Sequence, residues 1–437
     1  MRKQIYQESG ADYGEIRSAL PLQHLVPYLE ENITGFKGPV EVKQFKFGQS
    51  NPTYLLIPHS PSRSFVLRRA PSGKLLSPTA HRIDREYTIL AALNRYNKTV
   101  SSLCMVPLPE VYCLCEDKKI VGAAFYVMEY MRGRIFTDVR MRQLDKEERW
   151  SCWKSAINTL ARLSTVPLSA LNLPASFAPM PSAKPYFPRQ VSSLLRVSEL
   201  QSKTMSKETG GTLGAIWGTK ELVPWFERGA QEIAAREARF EVASVVHGDF
   251  KIDNLAGGSF HIFHPTEPRV IGILDWELCT LGSPLADLCN LLLPFSFPPI
   301  TNEQRKILSL RVQGEDKEDL NLLLGLKDVS SIETGIPQKE ELETWWVQAM
   351  NEGYEYHNSQ KLQGYMWEWP IQGIEWVRSW MLFRLAIIAQ GIAARAMVGQ
   401  ASSASASADS RPVFDFYGKA AWNYRVETNR EKSNAKL

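Results

Sequence analysis

The sequence has no cysteine pair at C-x-x-C spacing, no uninterrupted apolar run that reads as a membrane span, and almost no charge imbalance. Each absence excludes something. Without that spacing the six cysteines, Cys104, Cys113, Cys115, Cys152, Cys279 and Cys289, do not form a zinc motif. With no secretory signal read at the start, they are expected to be reduced thiols in an intracellular compartment. The most apolar segment, Met381 to Gly399, is broken by Arg384, Gln390 and Arg395, which a bilayer would penalise, so it is expected to be a core helix and not a membrane span. Lys plus Arg number 51 against 47 Asp plus Glu, and a net charge of +4 gives no reason to expect a nucleic-acid partner or an acidic lipid surface. What is present is 437 residues of 44% hydrophobic content, enough for a sizeable core in two lobes or domains.

After a polar lead, residues 45–57 and 64–71 are β-rich runs separated by His-Ser-Pro-Ser, which predicts antiparallel strands. From about Thr79 to Tyr96 the spacing of Ile83, Tyr87, Leu90 and Leu93 predicts a helix. Two short strands follow, around Val111 and Phe125, divided by a charged turn at Glu116 to Lys119. This order predicts a small sheet lobe with one packed helix. Helices are expected over Lys146–Leu163 and within 189–240, a hairpin over 259–264 and 269–275, and a mainly helical remainder. The low-complexity run 401–410 reads as loop, and no internal repeat is visible.

Chemistry enters at residues 245–258, where His247, Asp249 and Asn254 have the spacing H-x-D-x-x-x-x-N. That is the catalytic-loop pattern of kinases, in which the Asp accepts a substrate hydroxyl proton and the Asn binds Mg²⁺. The hairpin that follows runs out and back, returning Asp275 close to where Asn254 began. Two oxygen ligands from opposite sides suit Mg²⁺, which keeps water and nucleotide phosphates as its other partners. A lone His-Gly-Asp would be an ordinary polar turn; the joint pattern is far more specific.

These blocks, residues 245–255 and 270–288, resemble the signatures of the aminoglycoside phosphotransferase and choline kinase family, which has the protein-kinase-like fold. The closer resemblance, over about residues 20 to 410, is to the kinase-like domain fused to acyl-CoA dehydrogenases, carried also by residues 47–56, 65–90 and 383–406. It implies a bilobal α+β fold, with a small antiparallel-sheet N-lobe over 1–131 and a larger, mainly helical C-lobe over 132–437. It implies Asp249 as catalytic base, His247 as the brace of its loop, Asn254 and Asp275 as Mg²⁺ ligands, and ATP as phosphoryl donor. Gly48, Gln49, Ser50 and Asn51 fall where the family's phosphate-covering hairpin lies. Arg68 stands where a kinase strand presents its phosphate-binding Lys, with Glu86 as its ion-pair partner, although Arg69 could share that role. Glu129, Tyr130 and Met131 look like the hinge that meets adenine through backbone groups.

Two departures from protein kinases narrow the acceptor. Gly248 replaces the Arg of the H-R-D motif, and only eight residues separate Asp275 from Pro284, leaving little room for an activation loop. A small-molecule acceptor is therefore favoured. Ser283 and Pro284 read as N-cap and first helical residue, and Asp287 as a possible tether of the catalytic loop. The fused relatives imply a 4-hydroxyacyl-CoA or hydroxy acid as acceptor, contacted from the helical lobe, with Arg189, Gln190 and Phe383 to Arg395 as candidates. An amino-sugar, choline or antibiotic alcohol is the alternative acceptor, and a nucleotide-binding scaffold the alternative to an enzyme. Ala435, Lys436 and Leu437 resemble the S-K-L address read by the peroxisomal import receptor, so the expected location is the peroxisome, otherwise the cytoplasm.

Overall fold

The computed structural model describes residues 13–14, 16–45, 51–60, 63–71, 82–136, 138–206, 210–252, 261–301, 303–304, 325–357, 366–399 and 411–434. The expectations for Gly48, Gln49, Ser50, Asn254, the 401–410 run and Ala435 to Leu437 lie outside them. Two compact units emerge: Met1–Ala178 with His247–Thr280, and Pro179–Val246 with Leu281–Leu437. This division differs from a cut after Met131, and backbone pairing explains why. Arg134 and Phe263 exchange hydrogen bonds of 2.8 and 2.9 Å, and Ile273 N–H donates to Pro107 O at 2.9 Å, so the hairpin and its loop pack with the first unit.

The first unit is built on a six-stranded antiparallel sheet. Its strands are β1 (Tyr13–Gly14), β2 (Lys37–Phe45), β3 (Thr53–Ser60), β4 (Phe65–Arg69), β5 (Val111–Cys115) and β6 (Phe125–Glu129), in the spatial order β1-β2-β3-β4-β6-β5. The paired strands expected at 45–57 and 64–71 are β3 and β4, and the helix expected after them is α2 (Ile83–Asn97). The polar lead holds more structure than its sequence announces: α1 (Leu22–Asn32) and β2 both lie there. Leu25 and Leu29, one helical turn apart, are the buried residues of α1, and they join Tyr54, Leu56, Phe65, Leu67, Phe125 and Val127 in one core. An apolar stripe that narrow is easily read as polar. Within the expected turn at Glu116 to Lys119, a single helical turn, α3 (Lys118–Val121), begins at the Asp117 cap.

Because side chains alternate across a strand, Phe65 and Leu67 face this core while Val66 and Arg68 face the opposite side, where α2 packs. Glu86 lies on the buried face of α2 with Ile83, Leu90 and Leu93, a carboxylate where spacing alone calls for an apolar residue. The unit continues with α4 (Lys146–Thr165), two residues longer than expected, and, after β7 (Ser244–Val246) of the other unit, the hairpin β8 (His261–Phe263) and β9 (Val270–Ile273).

The second unit is helical: α5 (Tyr186–Ser202), α6 (Thr219–Arg239), α7 (Pro284–Leu291), α8 (Ser331–Thr334), α9 (Lys339–Tyr356), α10 (Ile374–Met397) and α11 (Arg411–Asn434), with β10 (Thr280–Gly282) at the boundary. Ser283 caps α7, its Oγ accepting from Leu285 N–H, and Pro284 follows at the first helical position, as expected. By length and composition α10 is apolar enough to cross a bilayer, but 56% of its most apolar window is buried, and it packs against α5, α7 and α11 as a core helix.

Candidate active site

The His247–Asp249 loop is fixed by its own backbone. His247 is buried, its Nε2 lies 3.0 Å from Leu274 O, and its Nδ1 lies 3.3 Å from Asp249 N–H. A carbonyl only accepts and an amide only donates, so Nε2 carries the proton and Nδ1 the lone pair. One imidazole thus ties the loop to the residue before Asp275, and its ring stands edge-on to Trp276 at 4.9 Å. Gly248 has φ +89°, and a Cβ there would lie 2.8 Å from Leu278 O. The absence of the protein-kinase Arg is therefore required by the backbone: no side chain fits between the two turns. Asp249 keeps a quarter of its side chain exposed, with Oδ1 3.1 Å from Lys251 Nζ. Lys251 was assigned no role by the spacing argument.

Asp275 sits at φ +64°, a left-handed conformation that costs a non-glycine residue about 1–2 kcal/mol and that Asp tolerates better than most. The turn aims its carboxylate at Arg68, whose Nη2 is 2.7 Å from Asp275 Oδ1 and 3.2 Å from Glu277 Oε2, while Nε is 3.0 Å from Glu86 Oε2. Asn51 Nδ2 donates to Glu86 Oε1 at 2.9 Å and reaches Glu277 Oε2 at 3.5 Å; Tyr126 O–H donates to Glu86 Oε2 at 3.1 Å. Arg68 and Tyr126 are directly paired across β4 and β6, which places both on the Glu86 side. Burial works against the Arg68 charge, but Glu86, Asp275 and Glu277 more than offset it and raise its pKa. For Glu86 burial dominates: the carboxyl is pushed up to about 7 despite the attraction of Arg68, with Asp275 and Glu277 adding repulsion.

Strand parity places the two arginines on opposite faces of the sheet. Arg69 points to the other face, where Nη2 donates to Ser18 Oγ at 2.8 Å and Nη1 to Val121 O at 3.3 Å, so it does not share the position of Arg68. Of the expected residues, Asn51, Arg68, Glu86 and Asp275 come together, and Glu277, two residues after Asp275, joins them without having been anticipated. At the expected hinge, Glu129 ends β6; its N–H donates to Glu110 O at 2.8 Å and its Oε2 accepts from Glu110 N–H at 3.2 Å. Tyr130 is partly buried, and Met131 Sδ lies against Gly272, 2.5 Å from where a Cβ would stand. Asp287 is buried on α7 in the second unit.

Three carboxylates, Glu86, Asp275 and Glu277, face the single cation of Arg68. That surplus of negative charge and hard oxygen donors fits Mg²⁺ better than a soft-ligand metal. No group of three His, Cys, Asp or Glu side chains forms a metal cage among the described residues. Mg²⁺ needs none, since one or two carboxylates with water and phosphate complete its octahedron.

Comparison with known proteins agrees with this chemistry. Residues 41–317, more than half of the chain, match the model of the phosphotransferase enzyme family. The chain is 32% identical over 410 residues to acyl-CoA dehydrogenase family member 10 of Mus musculus, covering 94% of this chain and 31% of that protein. It is 37% identical over 265 residues to acyl-CoA dehydrogenase family member 11 of Gallus gallus, covering 60% and 29%. The chain thus spans about a third of the length of the curated relatives it matches. Among solved structures, a candidate aminoglycoside phosphotransferase from Ralstonia eutropha superposes with TM-score 0.68 at 28% identity, covering 94% of this chain and 99% of that one. Choline kinase from Cryptosporidium parvum, at TM-score 0.50 and 11% identity over 95% and 97%, shares the fold. With its kinase-like α+β fold and its family match, the chain belongs to the phosphotransferase enzyme family and is a small-molecule phosphotransferase with a hydroxyl acceptor.

Proposed function

We propose that the protein transfers the γ-phosphoryl group of ATP to the hydroxyl of a hydroxyacyl-CoA or related hydroxy acid, with Asp249 as general base. The observation that carries the chemistry is the convergence of Arg68, Glu86, Asp275 and Glu277 beside a catalytic loop that His247 holds to Leu274. Asp249 accepts the hydroxyl proton, the oxygen attacks the γ-phosphorus, and the bond to the β-phosphate oxygen breaks to release ADP. Little covalent chemistry falls to the protein, so orientation and charge dominate. Arg68, held by Glu86, offsets phosphate charge, and Lys251 places a second cation beside Asp249. Asp275 and Asn254 would hold Mg²⁺, which neutralises phosphate charge when bound. Asn51, with Gly48, Gln49 and Ser50 before it, and the Glu129 to Met131 segment are the nucleotide contacts in this reading.

Two features support the acceptor class. The matched relatives are named as acyl-CoA dehydrogenase family members. From Arg384 to Met397 helix α10 carries Arg384 and Arg395 and no acidic residue, a composition suited to an anionic acceptor and unsuited to an amino-sugar or choline. A mass-spectrometric screen with Mg-ATP against 4-hydroxyacyl-CoAs, free hydroxy acids, choline and aminoglycosides tests this. A phosphorylated CoA thioester is expected; phosphorylation of a cationic alcohol in its place would overturn the acceptor class, and no product from any acceptor would favour a nucleotide-binding scaffold.

A further inference from the structure

His261 has no part in the chemistry described so far, and a buried histidine in a short strand is most simply a packed core residue. Its surroundings say more. The side chain is 1% exposed, and its Nδ1 lies 2.5 Å from Lys251 O, in the loop that carries Asp249. Because that carbonyl can only accept, Nδ1 bears the proton and Nε2 the lone pair. Nε2 is buried without a hydrogen-bond partner among the described residues. A phenylalanine here would avoid that cost, so the residue type is explained by the proton on Nδ1. Burial pushes the imidazole pKa down to about 3, which keeps the ring in this neutral form.

The ring also clamps Phe250. Its centroid is 4.2 Å from that of Phe250 in an edge-on contact, and on its other neighbour Phe250 meets His247 at 6.1 Å, again edge-on. The loop is therefore held at two points. His247 ties its start to Leu274 O, and His261 ties Lys251 O to strand β8, with Asp249 between them and its Oδ1 3.1 Å from Lys251 Nζ.

We infer that His261 is a positioning residue for phosphoryl transfer: its Nδ1 proton fixes the Lys251 carbonyl and so sets where Lys251 and Asp249 stand. This rests on the reading of Asp249 as general base. A misplacement of the base costs turnover and leaves nucleotide binding largely untouched, because the proton moves only in the transition state.

Three variants separate positioning from packing. His261→Phe keeps a ring against Phe250 but has no donor; His261→Asn places an amide N–H near the Nδ1 position; His261→Gln reaches the Nε2 position instead. With Mg-ATP and a 4-hydroxyacyl-CoA, His261→Phe and His261→Gln should lower kcat by about tenfold or more with KM for Mg-ATP changed by less than about twofold, and His261→Asn should restore most of kcat. Amide hydrogen exchange at Phe250 and Lys251 should quicken in the Phe and Gln variants and not in the Asn variant. Exchange is read without any acceptor, so it decides whether the loop is held even if no acceptor is phosphorylated, which would count against the base assignment alone. Unchanged kcat and exchange in His261→Phe, or an Asn variant as impaired as the Phe variant, would overturn the inference.

Discussion

Two buried arginines, one in each unit, show how similar ion pairs serve different ends. Arg378 on α10 is fully buried, pairs with Glu343 and lies 3.5 Å from Glu375 Oε1, and Trp369 Nε1 donates to the same Glu343 at 3.0 Å. Arg68 keeps 10% of its side chain exposed, and its partners Asp275 and Glu277 keep 9% and 21%. Around Arg378 the residues belong to α9, α10 and the turn before α10; around Arg68 they come from a strand, a helix and the turn after the β8–β9 hairpin. The difference is one of balance: Arg378 and Lys339 answer Glu343 and Glu375, two cations to two carboxylates, whereas Arg68 alone meets three carboxylates and keeps part of its own side chain exposed where Arg378 has none. Surplus charge with access marks a place for a ligand; the same charge sealed in marks architecture.

The comparison can be broken in order of expected effect. Arg378→Met should lower unfolding free energy by about 3–5 kcal/mol, because it strands Glu343 in the interior, while activity of the remaining folded protein persists; chemical denaturation alongside turnover reads both. Glu86→Gln should do the reverse. A carboxyl raised to about 7 folds best protonated, so the wild type loses stability as pH rises from about 4.5 through 7. The Gln variant escapes that loss and should be more stable by up to about 3 kcal/mol at pH 8, with no advantage near pH 4, as thermal unfolding across that range would show. Its activity should nevertheless fall, since Arg68 loses its anchor. Arg68→Gln should cut kcat/KM for Mg-ATP about a hundredfold, or about 2.7 kcal/mol, with a smaller loss of stability than Arg378→Met because Glu86 is free to take up a proton. If Arg68→Gln unfolds the protein and leaves nucleotide kinetics of the folded fraction intact, the two arginines are alike after all.

The sequence made legible whatever is local. His247, Asp249 and the returning Asp275 are close in the chain, and a strand's fixed rise returns the hairpin to its origin. Partners remote in the chain were only partly visible. Asn51, Arg68 and Glu86 came from the family resemblance, while Glu277, 226 residues from Asn51, was missed although it stands two residues past Asp275. Period-two alternation says that Arg68 and Arg69 face opposite sides, but not which side holds α2; that needs tertiary packing. His261 looked like any residue of an alternating strand, because its significance lies in one carbonyl ten residues earlier.

The most direct test of the central claim is to measure turnover and Mg-ATP affinity side by side for wild type and Asp249→Asn. The account predicts turnover lower by about a thousandfold, or about 4 kcal/mol of transition-state stabilisation, with nucleotide affinity within about twofold. Equal turnover in the two proteins, or a loss fully explained by weaker nucleotide binding, would contradict it.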